Sequence, residues 1–190
     1  MQRSSRLIVF ATSNNHKVRE AEGVLSEFDI AVEHLPAKGT EIQADDLSSI
    51  ALFAAKEASR RCRKSVIVED AGLFIEELNG FPGPYSSYVY RTLGLEMFLQ
   101  SVTSLRSRSA VFRSSVSYCT PNGEPLVFEG LSKGRLGSKA SGTNGFGFDP
   151  VFKPEGYEST FAEMTPEQKN RLSHRGDSLR KFANWFLQNE

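Results

Sequence analysis

The run Val66-Ile67-Val68-Glu69-Asp70-Ala71-Gly72 carries a β-branched strand signal straight into two acids. Carboxylates at the C-terminal end of a buried strand are costly to desolvate, so they are paired, hold a metal, or act as a base. A strand end at which Glu69 and Asp70 merely face water is the plain alternative, and these residues alone leave both open. Beyond one more apolar stretch lies a loop punctuated by Gly and Pro, Gly80-Phe81-Pro82-Gly83-Pro84-Tyr85.

A second stretch suited to chemistry follows Leu7–Ala11, a short run apolar throughout that reads as a buried strand. It ends in Thr12-Ser13-Asn14-Asn15-His16-Lys17, after which Val18, Ala21, Leu25 and Phe28 recur at helical spacing. The first four of those polar residues are all good N-caps. A helix N-terminus exposes unpaired N–H groups and partial positive charge, so strand, polar turn and helix together make an anion site to which Lys17 adds a full charge. A capped helix with a solvated lysine is the competing explanation. The pattern GxxxxGK[ST] is absent, which excludes a Walker-type loop.

Gly137–Asp149 is the most glycine-rich segment and closes in Phe146-Gly147-Phe148-Asp149-Pro150. Aromatic rings between glycines and beside an acid suit a stacking platform for a planar ligand; ordinary core packing is the alternative, with one of the two rings turned inward. Near the C-terminus, Thr165-Pro166-Glu167-Gln168 has the N-cap, the Pro at N1 and the Gln at N3 of a helix start. Lys169 follows, then Ser173-His174-Arg175, which gathers donors at a helix junction. No Gly-x-Ser-x-Gly elbow is present, which argues against a serine hydrolase.

The elements that must position these groups form one pattern. A polar connection from Pro36 to Asp46 contains Glu41 and leads to a second helix with Leu47, Ile50, Ala51, Ala54, Ala58 and Cys62 on its apolar side, capped by Asp45 or Asp46. Arg60-Arg61-Cys62-Arg63-Lys64 closes it with charge that suits the helix dipole. Leu95, Phe98, Leu99, Val102 and Leu105 mark a third helix. Ser109–Cys119 alternates, with Ala110, Phe112, Val116 and Tyr118 on one face; Thr120–Glu124 is a turn and Leu126–Leu131 a partner strand. Val151-Phe152 reads as a short strand, and Leu179, Phe182, Ala183 and Phe186 as the stripe of a closing helix. Antiparallel strands beside βα units predict an α/β fold with a mixed, partly antiparallel sheet flanked by helices. No repeat or linker divides residues 1–190, so a single domain is expected.

Composition narrows the functional classes. Lys+Arg and Asp+Glu both count 23, giving a formal net charge of zero, so general electrostatic binding of nucleic acid or anionic membrane is not supported. Cys62 and Cys119 lack metal or redox spacing and read as buried, reduced thiols. The basic start Met1–Arg6 precedes too short an apolar run for a signal peptide or a membrane span, so a cytoplasmic protein is expected.

Four separated segments, in order, resemble the inosine triphosphate pyrophosphatase (Ham1-like) family: Thr12-Ser13-Asn14-x-x-Lys17; Glu69-Asp70-x-Gly72-Leu73 with Gly83-Pro84-Tyr85; Gly145-Phe146-Gly147-Phe148-Asp149-Pro150; and Ser173-His174-Arg175. The resemblance runs from Val9 to the last helix. It implies an elongated two-lobed fold with a central substrate cleft, Mg²⁺ dependence, and usually a homodimer. The implied reaction converts deaminated purine triphosphates (ITP, dITP, XTP) to the monophosphate and pyrophosphate, which keeps them out of DNA and RNA. By the same resemblance Thr12, Ser13, Asn14 and Lys17 hold the triphosphate, Asp70 is the general base, and Glu41, Glu69 and Asp70 serve the metal. Phe146 and Phe148 face the base, with Asp149, Lys169, Ser173, His174 and Arg175 as its polar rim. Ser13 stands where many relatives have Gly. The family's phosphate-binding lysine on the second helix aligns near Ala54, and Lys56, two residues on, is turned by roughly 200°. The competing functions are a house-cleaning pyrophosphatase of other nucleotide specificity and a non-catalytic nucleotide-binding module.

Overall fold

The computed structural model describes residues 6–36, 39–40 and 42–190. Its strands β1 (Arg6–Ala11), β2 (Ile30–Leu35), β3 (Val66–Ile75), β4 (Pro82–Gly83), β5 (Ser109–Cys119), β6 (Leu126–Leu136) and β7 (Phe152–Pro154) form one seven-stranded sheet. The order is β2-β1-β3-β5-β6-β7, with β4 pairing β3. β1 runs parallel to β2 and β3, whereas β3, β5, β6 and β7 pair antiparallel, so the sheet is mixed as expected. The helices are α1 (Asn15–Leu25), α2 (Leu47–Cys62), α3 (Ser86–Ser101), α4 (Pro166–Leu172) and α5 (His174–Asn189). Among the described residues no helix is long and apolar enough to cross a membrane.

Several elements differ from their sequence expectations. β2 lies in a segment with no clean alternation and exists because β1 supplies its ladder, from Arg6↔Ile30 to Ala11↔Leu35. α3 begins at Ser86 rather than near Leu95 and breaks at Gly94, whose φ of 69° interrupts the helix and conceals its period in the sequence. Its start is tied down by Ser86, whose hydroxyl accepts from Leu73 N–H at 2.8 Å and donates to the Gly83 carbonyl at 2.7 Å. On α2 the buried positions are Leu47, Ala51, Ala55 and Ser59, a face rotated from the expected one.

β3 is the main correction. It runs ten residues, well past its β-branched start, so Glu69 and Asp70 sit in mid-strand rather than at its end. The extension is held by one-for-one pairing with β5, from Val66↔Cys119 to Ile75↔Ala110. Gly72 permits β4 to approach, since a Cβ there would lie 2.2 Å from the Gly83 carbonyl oxygen.

Strand alternation divides the sheet surfaces. One face carries Ile67, Glu69, Leu73 and Ile75 of β3 beside Tyr118, Val116, Ser114, Phe112 and Ala110 of β5. Ile67, Val116 and Tyr118 join a core with α1 and α5, while Leu73, Ile75, Ala110 and Phe112 join a second core with Val89, Phe98, Phe148, Phe152 and Phe161. Between the two apolar clusters this face has a polar row, Glu69 and Ser114. The opposite face carries Asp70 and Ser115 and receives α2, whose Ser48 hydroxyl lies 3.1 Å from that of Ser115.

Candidate active site

Glu69 is the centre of the polar row. Its carboxylate is fully shielded and meets Lys17 Nζ at 2.8 Å, Arg175 Nε at 3.1 Å and the Ser114 hydroxyl at 2.8 Å. Lys17 also donates to the Glu69 backbone carbonyl at 2.9 Å, which ties the first turn of α1 to mid-β3. Ser178 of α5 lies 2.9 Å from Ser114 and donates to the Arg175 carbonyl at 3.1 Å. This contact requires α5 to lie close on β6, and Gly130 allows it: a Cβ there would be 2.2 Å from the His174 carbonyl oxygen.

From Glu69 the charges continue in alternation. Arg175 bridges to Glu20 at 2.5 Å, Glu20 to Lys169 at 2.6 Å, and Lys169 to Asp149 at 2.5 Å. Lys17, Glu69, Arg175, Glu20, Lys169 and Asp149 thus form a chain of three cations and three anions, drawn from α1, β3, α4, α5 and the turn before β7. Removing one member of such a buried set leaves a neighbour uncompensated, which costs far more than losing a surface pair.

The titration of these groups follows from their neighbours. Burial alone would push the Glu69 carboxyl up, but Arg175 and then Lys17 outweigh it and hold it well below the usual carboxylate range. Glu20 is likewise lowered, burial being overcome by Arg175 and Lys169. Asp149 goes the other way: burial raises it, and its partner Lys169 is shared with Glu20, whose own charge raises it further. Arg175 is raised, because Glu69 and Glu20 outweigh its burial. His174 is lowered well below 6.5 by burial and by Arg175, and is therefore neutral at physiological pH.

Of the two expected stacking rings, the fold turns one outward and one inward. Phe146 is half-buried, lies over Lys169 Nζ at 5.0 Å and Arg175 Cζ at 5.3 Å, and has its backbone N–H held by Asp149 at 2.7 Å. Phe148 is core: it packs on Phe98 with ring centroids 4.4 Å apart and meets Tyr90 edge-on. Phe148, expected at the base, is buried in this core, and Gly147 between the two rings has a positive φ of 61°. His174 stacks flat on Phe112, planes 8° apart, and Ser173 caps α5 by accepting from the Gly176 N–H. Two buried polar atoms at this junction, His174 Nδ1 and Asn170 Oδ1, have no hydrogen-bond partner among the described residues. Such atoms carry a desolvation cost that a bound polar ligand edge would relieve.

The turn before α1 is a tight cap. Thr12 Oγ1 accepts from Asn14 N–H, and Asn14 Oδ1 accepts from the N–H groups of His16 and Lys17. Ser13 is exposed. Glu41 lies outside the described residues. Alternation places Asp70 across the sheet from Glu69, beside Ser115 and on the face that also carries Glu129, which accepts from Ser48 at 2.7 Å. Glu69 and Asp70 therefore face opposite sides of the sheet, and the Glu69 carboxylate is engaged by Lys17 and Arg175. Among the described residues no cluster of three His, Cys, Asp or Glu side chains fits a metal. Mg²⁺ asks less, since one or two carboxylates suffice when phosphates and water complete its octahedron. Lys56 is exposed and pairs with Glu124 at 2.9 Å.

The model of the Ham1 family matches residues 8–185 of this sequence. The chain belongs to the Ham1 family. Relatives of this Ham1 chain include a dITP/XTP pyrophosphatase of Methanopyrus kandleri, 45% identical over 182 residues, which covers 96% of this chain and 97% of that one. A dITP/XTP pyrophosphatase of Thermococcus kodakarensis is 44% identical, covering 96% and 98%. Among solved structures, a HAM1 protein from Coxiella burnetii has a TM-score of 0.83 at 26% identity, covering 96% of this chain and 99% of that chain.

The Ham1 chain also uses a residue the sequence analysis passed over. Glu20 bridges Arg175 and Lys169 from the middle of α1. Its signal was local: it stands three residues after Lys17, so the two side chains share a helix face. Nothing in the spacing links it to Lys169 or Arg175, which lie roughly 150 positions on.

Proposed function

We propose that this chain is a pyrophosphatase acting on deaminated purine nucleoside triphosphates, XTP, dITP and ITP, releasing the monophosphate and pyrophosphate. The observation that carries this is the outward ring of Phe146 backed by the buried cations Lys169 and Arg175, beside the N-terminus of α1. A planar base stacks on such a ring, and the phosphates extend toward the helix terminus and Lys17. The names of the relatives support the same substrates.

Selectivity rests on the purine 6-position. Hypoxanthine and xanthine offer an oxygen acceptor there, whereas adenine offers a donor. The donors proposed for this contact are those gathered at the junction of α4 and α5, where Ser173 and His174 precede Arg175. Buried donors facing an amino group are left unpaired, and that mismatch rejects the wrong base by about 10⁴-fold. The neutral His174, with its unpaired Nδ1, adds an uncharged contact at the same rim.

Asp70 is the general base, taking the proton from a water aimed at the α-phosphorus. Asp70 and Glu41 would hold Mg²⁺, which supplies neutralisation of charge on the leaving pyrophosphate. Lys17 contributes positive charge to the same end of the substrate. The enzyme works in the cytoplasm on free nucleotides and forms a homodimer. Support for the dimer comes from the exposed apolar side chains of Phe81, Tyr85, Tyr88, Leu93 and Met97 on and before α3, which one chain leaves uncovered.

The test is pyrophosphate release with Mg²⁺ from XTP, ITP, dITP, ATP, GTP and dUTP side by side. Rapid release from XTP, ITP and dITP with little from ATP or dUTP is expected, and because GTP shares the 6-oxygen its rate reports on contacts at the 2-position. Equal rates on all six would remove the donor-based selectivity, and binding of XTP without release would favour the non-catalytic module.

A further inference from the structure

His16 stands in the first turn of α1, directly before Lys17, with its backbone N–H held by Asn14 Oδ1 at 2.9 Å. Its exposed imidazole lies against Phe146, ring centroids 5.1 Å apart and planes within 24° of parallel. The other neighbours of that ring, Lys169 and Arg175, are buried beneath it. His16 is therefore the solvent-side neighbour of the proposed base platform.

We propose that His16 is the second wall of the base subsite, so that the purine lies between the imidazole and Phe146. This rests on the reading of Phe146 as the base platform. The two walls differ in freedom. Phe146 is anchored through its backbone N–H to Asp149 and over two buried cations, whereas the His16 side chain is exposed on the first turn of a helix. Admitting a base needs a ring separation of roughly 7 Å, two stacking steps of about 3.4 Å. From 5.1 Å that is an opening a side-chain rotation on His16 supplies while Phe146 stays fixed. The position also couples the two ends of the nucleotide, because the turn that caps α1 and carries Lys17 also carries the movable ring. A sandwich between two rings rewards large purine faces over smaller pyrimidine ones.

The test compares His16→Ala, His16→Tyr and Phe146→Ala, reading KM for XTP and inhibition by inorganic tripolyphosphate, which has no base. His16→Ala is expected to raise KM for XTP by roughly 5- to 150-fold, the range of a lost stacking contact. His16→Tyr should restore most of it, and tripolyphosphate inhibition should not change. If Phe146→Ala raises KM and His16→Ala does not, or lowers it, the second wall is refuted and the platform stands. If neither moves KM, the platform reading itself fails. Equal loss of tripolyphosphate inhibition in His16→Ala would place His16 in the phosphate turn and overturn the proposal.

Discussion

Glu69 and Asp70 are neighbours in the chain and face opposite sides of the sheet. Glu69 points between the two apolar cores into contact with Lys17, Arg175 and Ser114, while Asp70 faces the α2 side beside Ser115. The two acids therefore serve different sides of the sheet, Glu69 as the centre of a buried ion-pair chain and Asp70 on the face that receives α2.

Their substitutions should therefore fail differently. Asp70→Asn is expected to abolish pyrophosphate release while XTP still binds. Glu69→Gln leaves Lys17 and Arg175 facing a neutral amide and should cost about 3–5 kcal/mol of stability. Normal turnover in Asp70→Asn would remove it as the base, and an unshifted urea midpoint in Glu69→Gln would show that its pairs carry no structural weight.

The two rings of the Gly-rich loop should separate in the same way. Phe148→Ala empties part of the core around Phe98 and should cost about 3–5 kcal/mol, read by thermal or urea unfolding. Phe146→Ala should leave the fold near native and weaken XTP binding by about 1–3 kcal/mol, read by calorimetry. The reverse pattern would mean that the rings have been assigned to the wrong sides.

His174 gives the fold a pH dependence whose sign is fixed. Its folded pKa lies below 6.5, so below that pH the unfolded chain takes up a proton that the native state refuses. Stability then falls with pH by up to about 1.4 kcal/mol per unit until the folded pKa is reached. Below 4.5 the lowered Glu69 and Glu20 add to the loss, as pH falls toward their folded values. Urea unfolding between pH 8 and 5.5 should show the first slope, and His174→Gln should flatten it; identical slopes in both proteins would contradict the buried neutral imidazole.

Gly130→Ala tests the contact between β6 and α5. The added methyl would meet the His174 carbonyl oxygen at 2.2 Å and Ser178 N at 2.4 Å, both backbone atoms that cannot swing aside. Overpacking of this kind costs about 1–3 kcal/mol. Because the displaced helix carries Arg175 and Ser178, kcat/KM for XTP should fall with stability; full activity in a destabilised variant would mean that α5 tolerates the shift.

Much of this was legible in the residues themselves. The N-cap turn at Asn14, the alternation of Ser109–Cys119 and the capping box at Thr165 are local, so short-range rules find them. The break at Gly94 and the edge strand β2 were not, because one needs a backbone angle and the other a partner strand. The candidate site divides along the same line. Residue type and spacing drew attention to the acids Glu69 and Asp70, to Lys17 and to the pair Phe146 and Phe148, and the family resemblance gave Asp70, Lys169 and Arg175 their roles. Which face of β3 each acid takes, which of Phe146 and Phe148 turns outward, and the place of Glu20 between Arg175 and Lys169 were decided by tertiary structure. The physical reason is that burial and charge pairing are properties of surroundings: a carboxylate becomes a structural anion or a base according to what the fold brings within a few ångströms of it.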